Sequence, residues 1–222
     1  VWNDPINTGT PLVVAGTLGQ AVEFGNGGAP SIMRTAGYAA VGYGATDWLI
    51  LAVLEDDTPM NSGASHVPVS IEGLRSSTSL QHQLITYDND DIGYNLATGT
   101  LDTETLITAT DSMPTPRVGV LWCGEKGLNL QKQYLNGTQI GGVAAPSGSN
   151  APNFRATLGG YLEAPAGTHE QGFTGKLYEV LVIPLRDTDI RQKAEGYLAH
   201  KWGLSGSLPT NHPYKFAAPT RI

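Results

Sequence analysis

The chain has 222 residues, of which 15% are charged and 40% hydrophobic, with 28 glycines and 14 prolines. Abundant Thr, Ser and Asn beside them suit many short strands joined by tight turns, and disfavour a helix-rich fold. A net charge of −7, with 13 scattered Lys and Arg, argues against a grip on nucleic acid or anionic membrane, because phosphate contacts need clustered cations.

No apolar run approaches the ~20 residues of a membrane-spanning helix, and no signal-peptide pattern opens the chain. It starts at Val1 without an initiator Met, as a processed chain or the ordered part of a longer one would. The length fits one β-sandwich, so the expected division is an arm or linker with a first short strand over 1–19 and one domain over 20–222. Cys123 has no second cysteine to pair with and reads as a small buried hydrophobe.

In chain order, Val1 to Thr10 holds Pro5, Gly9 and turn-forming polar residues, and reads as the arm, with Trp2 its one conspicuous side chain. Gln20 to Phe24 alternates apolar and polar before the turn at Gly25 to Gly28. Asp47 to Leu54 is the most apolar run and fits a central strand. The next residues, Glu55, Asp56 and Asp57, are three consecutive carboxylates and read as a solvated turn. Shorter strands are predicted at Val67 to Ile71, Leu80 to Tyr87, Ile92 to Leu96, Thr105 to Ala109 and Arg117 to Trp122. Leu128 to Leu135 and Thr138 to Gly141 form a hairpin around Asn136-Gly137, the pair that supplies both positive φ angles of a type I′ turn. That turn also accounts for the glycosylation sequon Asn136-Gly-Thr138.

A loop over Ala144 to Asn153 follows, and Ala156 to Gly160 and Phe173 to Ile183 supply the last two strands. Leu177, Val180, Val182 and Ile183 leave little room for a solvent face, so both sides of that strand should be covered. A helix is predicted over 187–202. Asp187 is placed to cap it, Asp189 to complement its dipole, and Gly203 to stop it in the left-handed region. Ile190, Ala194, Tyr197, Leu198 and Trp202 recur on one stripe. Trp48, Trp122 and Trp202 all lie in apolar patterns and are assigned to core.

The ending Glu195 to Leu204, then Leu208-Pro209 and His212-Pro213-Tyr214, resembles the "EGYLAHKWGL…LP…HPY" close of concanavalin A-like, laminin-G-type domains found in phage virion and marine bacterial surface proteins. The hairpin at Asn136-Gly137 is similar to the "YVNG" hairpin of the same domains, and Gln20 to Gly28 to their first strand. The resemblance covers roughly 20–214. It implies an all-β, two-sheet antiparallel β-sandwich (jelly roll) with one C-terminal helix.

Catalytic patterns known on this fold are missing. No Glu-x-Asp-x-x-Glu strand of the glycoside hydrolase type occurs, and Gln81-His82-Gln83 does not match the Gln-x-His strand of jelly-roll alginate lyases. There is no Gly-x-Ser-x-Gly elbow, and the five histidines include no H-x-x-x-H pair, which disfavours zinc. Asp88, Asp90 and Asp91, with Asn89 and Gly93, offer oxygen ligands that Ca²⁺ accepts. The twelfth position is Gly99 rather than Glu, however, so a solvated Asx turn competes with the cation and is favoured.

Sugar recognition needs an aromatic face for pyranose C–H groups beside polar side chains for hydroxyls. Two stretches hold both: Asp88 to Tyr94, with Asp91 and Tyr94, and Tyr161 to Gln171, with Tyr161, Glu163 and His169. The competing reading is that Tyr94 and Tyr161 cover strand ends.

The resemblance and the missing motifs together favour a non-enzymatic carbohydrate-recognition or adhesion module of a phage virion (tail fibre or receptor-binding protein) or a bacterial surface protein. Its partners would be a cell-surface glycan or polysaccharide, other virion proteins and further copies of the chain, with no nucleic acid, no membrane insertion and a virion or cell-surface location. Two rivals stand beside it. One is a structural virion protein for capsid decoration or tail association, and the other a polysaccharide hydrolase or lyase with unfamiliar catalytic residues.

Overall fold

The computed structural model describes residues 2–3, 12–25, 32–35, 48–57, 65–73, 80–87, 92–97, 104–109, 119–127, 130–144, 154–163, 168–170, 172–183 and 187–220. Among the described residues sixteen strands run in chain order. They are β1 (Trp2–Asn3), β2 (Leu12–Gly16), β3 (Gly19–Phe24), β4 (Met33–Thr35), β5 (Trp48–Asp56), β6 (Ser65–Gly73), β7 (Leu80–Tyr87), β8 (Ile92–Ala97), β9 (Glu104–Ala109), β10 (Val120–Gly127), β11 (Leu130–Leu135), β12 (Thr138–Ala144), β13 (Phe154–Leu158), β14 (Tyr161–Glu163), β15 (Thr168–Glu170) and β16 (Gly175–Ile183). A helix, α1 (Thr188–Lys201), follows, and a short 3₁₀ turn, Ser205–Ser207, leads into the tail.

The strands build two antiparallel seven-stranded sheets, ordered β1-β4-β13-β6-β7-β8-β9 and β12-β11-β10-β5-β16-β3-β2, with β14 and β15 as a separate ribbon. The molecule is an all-β sandwich with a C-terminal helix. β5 is the middle strand of the second sheet, and its apolar run follows from that position. Ile50, Ala52 and Leu54 enter the core between the sheets with Phe24, Val69, Trp122, Leu158 and Phe173. The alternate residues Leu49, Leu51 and Val53 meet Ala194, Leu198 and Ala199 of α1 in a second core on the outer face. A strand buried on both faces has no polar alternation. β16 is covered in the same way, with Val180 and Val182 inward and Leu181 and Ile183 outward.

α1 has the predicted ends. Asp187 is extended (φ −147°) and its carboxylate accepts the N–H groups of Asp189 at 2.8 Å and Ile190 at 3.1 Å. At the other end Gly203 takes φ +72°, Leu204 N–H donates to Ala199 O and Gly203 N–H to His200 O, which is a Schellman stop. The hairpin turn is also as predicted, with φ +49° at Asn136 and +79° at Gly137. Asn136 Oδ1 in addition accepts Leu121 N–H at 3.1 Å.

Several expectations are corrected. Glu55 and Asp56 are the last residues of β5 and are 6% and 5% exposed, so they are no solvated turn. The strand predicted at Arg117 to Trp122 lies further on, at Val120–Gly127. Trp2–Asn3, read as arm, pairs with Thr35 and Arg34 of β4, whereas a short strand within 1–19 is expected and Leu12–Gly16 is one, paired with β3. Between the two strands expected last lies the β14–β15 ribbon, which periodicity over three residues cannot reveal. Cys123 is buried as expected, and burial, with Glu195 nearby, pushes its thiol well above the ordinary range, so it is inert.

Candidate functional site

The register places one set of connections at a single end of the sandwich. β13 in the first sheet passes through Gly159, the ribbon and Gly172 into β16 of the second sheet, so the ribbon bridges the two layers. Its base is fastened to β6. Gly159 N–H donates to Pro68 O at 3.0 Å, Phe173 N–H to Gly159 O at 3.0 Å, and His66 Nδ1–H to Gly172 O at 2.7 Å. Tyr87 pairs with Ser65, and Ile92 with Thr86 and Ala109, which puts the end of β7 and the start of β8 at the same end. The end of β5 joins them through Asp57 N–H donating to Thr174 O.

Within the ribbon Tyr161 pairs with Glu170, Leu162 with His169 and Glu163 with Thr168. Tyr161 and Glu163 thus share one register parity, and His169 takes the other. Tyr94 falls differently from the expectation of a rim loop: it lies inside β8, opposite Leu84 and Ile107. Leu84 pairs with Val69, and Val69 with Leu158, both buried between the sheets. Tyr94 therefore occupies a row whose described members are core. It is three strand spacings, about 14 Å, from β13, which feeds the ribbon. The sequence carries the signal for this placement, since Ile92, Tyr94 and Leu96 recur with period two. Asp88, Asp90 and Asp91 lie outside the described residues. Among the described residues no group of three His, Cys, Asp or Glu gathers as a cation would need.

Two carboxylates at this end, Glu55 and Asp57, are held in ion pairs. Lys176 Nζ on β16 donates to Glu55 Oε1 at 2.7 Å and Asp57 Oδ2 at 2.8 Å, and Tyr178 O–H donates to Glu55 Oε2 at 2.7 Å. Burial alone would raise the Glu55 carboxyl, but the bonds from Lys176, Tyr178 and Thr17 outweigh it and hold it below the ordinary range. Lys176 is desolvated too, yet Asp57 and Glu55 push its ammonium above its ordinary value. Sequence reasoning missed this group because its members are over a hundred positions apart. The strand period could have paired Lys176 with a carboxylate only once the register was known.

A second cluster lies under α1. Arg191 Nη1 donates to both oxygens of Glu195, at 2.7 and 2.6 Å, while its guanidinium stacks 3.8 Å above the Tyr134 ring. Tyr134 O–H donates to Glu125 Oε2 at 2.8 Å, and Arg191 Nε stands 3.9 Å from the same oxygen. Burial, followed by the Glu125 bond, drives the Tyr134 phenol well above its ordinary range. His212 Nδ1 accepts Tyr214 N–H at 3.2 Å, which leaves Nε2–H to donate to Glu195. Tyr214 packs over Gly196, where a Cβ would come within 2.5 Å of it. The residues behind the sequence resemblance thus fasten sheet, helix and tail together. A third group lies on the rim of α1: Glu179 accepts Trp202 Nε1–H at 2.8 Å, Tyr197 O–H at 3.2 Å and Lys201 at 2.8 Å.

No protein-family model matches the chain, and no curated protein matches it in sequence. Solved structures do match it in shape. The CBM40 module of the Ruminococcus gnavus IT-sialidase shares 13% identity over 86% of this chain and 95% of that one, with a TM-score of 0.57. Its complex with α2,6-sialyllactose gives 0.58. The leech intramolecular trans-sialidase shares 14% identity, with a TM-score of 0.56. The match covers 92% of this chain and only 28% of the enzyme. HCR D/C VPI 5995 matches at 12% identity and a TM-score of 0.61, over 86% of this chain and 46% of that one. At such identities the likeness defines the class of fold, a lectin-like β-sandwich. It extends to sialidase carbohydrate-binding modules and related β-sandwich domains.

Proposed function

We propose that the chain is a non-enzymatic carbohydrate-recognition module serving adhesion, carried by a phage virion protein of the tail-fibre or receptor-binding kind or by a bacterial surface protein. The observation that carries the reading is the β14–β15 ribbon, which stands at the same end of the sandwich as the end of β7 and the start of β8. Tyr161, Glu163 and His169 belong to that ribbon. Support comes from the R. gnavus module, which shares the fold over nearly its whole length and has been seen with α2,3- and α2,6-sialyllactose.

Glu55, at the end of β5, is lowered and locked to Lys176 and Tyr178, so it does not offer the raised carboxyl that a glycosidic acid needs. Shallow sites of this kind bind weakly, with a dissociation constant between about 1 mM and about 1 μM, and gain strength from repeated copies. The test is an array of sialylated glycans and bacterial polysaccharides probed with the multimerised domain. Binding that Tyr161→Ala abolishes without unfolding supports the reading, and polysaccharide turnover defeats it. The exposed apolar residues Val13 and Phe216 favour the structural alternative, a virion protein that docks other proteins, which silence across the whole array would select.

A further inference from the structure

The second sheet ends on β2, which pairs with β3 on one side and with no other strand among the described residues. Its sequence, Leu-Val-Val-Ala-Gly, has no charge and no proline. Val13 is 73% exposed and Leu12 44%, two of the three large apolar side chains exposed among the described residues. Edge strands are normally guarded by a charge, a proline, a bulge or brevity, since their free N–H and C=O groups are a template for another strand. The other described sheet edges have such features. β1 is two residues long, β9 opens on Glu104, and β12 exposes the polar pair Thr138 and Gln139. β2 has none.

The β2–β3 ladder closes on Gly16 and Gly19. In an antiparallel ladder bonded pairs alternate with unbonded ones, so Gly16, Val14 and Leu12 bond to β3 and the N–H and C=O groups of Val13 and Ala15 turn outward. We propose that β2 docks a second copy of this chain, antiparallel about a two-fold axis at Val14. In that register Val13 of each copy lies opposite Ala15 of the other, so the outward groups satisfy one another. Leu12 falls opposite Gly16, whose side-chain position is covered by the Tyr178 ring, so the apolar neighbour of Leu12 across the seam is that ring. No charge opposes another, although each copy carries −7 overall.

A foreign peptide fits less well. Strand addition takes its specificity from pockets for alternate side chains, whereas Leu12 and Val13 stand out from the surface. The matching partner is another flat, uncharged strand, which the chain itself supplies. Five residues extend about 17 Å and offer a band well short of the roughly 800 Å² per partner of a standard interface. The dimer is therefore weak and concentration-dependent. Its two-fold axis turns the two sandwich ends in opposite directions, so on the function proposed above it would bridge two glycan surfaces instead of gripping one.

Sedimentation equilibrium of the unliganded protein tests the dimer independently of any glycan. The mass should rise toward twice that of the chain between about 1 μM and about 1 mM, the span that brackets a weak interface. Val13→Lys adds the missing guard at an exposed position, and Ala15→Pro removes an outward N–H. Each should weaken association at least about tenfold, with circular dichroism and melting temperature unchanged. A single-chain mass throughout that range, or a dimer indifferent to both substitutions, would overturn the proposal.

Discussion

His212 Nε2–H donates to Glu195 Oε2 across 3.3 Å, and the two side chains, 1% and 0% exposed, join the C-terminal tail to the middle of α1. Glu195 meanwhile holds the buried Arg191 with both oxygens. One carboxylate thus neutralises a guanidinium and fixes a tail that has no strand or helix to hold it.

Removing that carboxylate should be costly. Glu195→Ala leaves Arg191 buried without its bidentate partner, with only the longer pair to Glu125, a loss of about 3 to 5 kcal/mol in such settings, readable by chemical denaturation. Glu195→Gln should cost less, since it keeps an acceptor for His212. A loss below about 1 kcal/mol, typical of an exposed pair, would show that the cluster is not truly desolvated.

Acid should weaken the β5–β16 junction. Because Glu55 is lowered in the folded state, its contribution is present above the ordinary carboxyl value of 4.5 and is lost as pH falls through the folded value. The Lys176 side runs the other way: its contribution is present below 10.5 and lost as pH rises through the raised value. Glu55→Gln should flatten the acid limb of a stability-versus-pH curve, and an unchanged limb would place acid sensitivity elsewhere.

The helix and the hairpin were legible in the sequence because their signals are local. Asp187 and Gly203 mark the ends of α1 within the segment itself, and Asn136-Gly137 specifies its turn in two residues. Glu55 was misread for the opposite reason. Three consecutive carboxylates look solvated until Lys176 and Tyr178, which belong to a strand far along the chain, are laid beside them. Arg191 and Glu195 likewise have the spacing of a surface helix pair, and only β10 and β11, through Glu125 and Tyr134, make the pair a buried one. Of the candidate sugar contacts, the ribbon placement of Tyr161, Glu163 and His169 rests on pairing across three residues, too short for any period to show.

Asn136 should be more sensitive than an ordinary turn residue. Asn136→Ala loses the acceptor for Leu121 N–H and places an alanine at φ +49°. An unpaired buried donor costs about 1 to 3 kcal/mol, and thermal unfolding should register it. Asn136→Asp keeps the acceptor and should retain most of the stability. Equal losses in both variants would assign the effect to something other than that bond.

Glycan recognition at the ribbon end is the central claim, and an NMR titration of the isotopically labelled protein tests it most directly. With the best ligand from a glycan array, amide shifts should cluster at Tyr161 to Glu170 and Asp88 to Asp91, saturate with a dissociation constant between about 1 mM and about 1 μM, and vanish in Tyr161→Ala while the rest of the spectrum stays folded. Shifts confined to another part of the sandwich, or release of shorter sugars during the titration, would contradict the account.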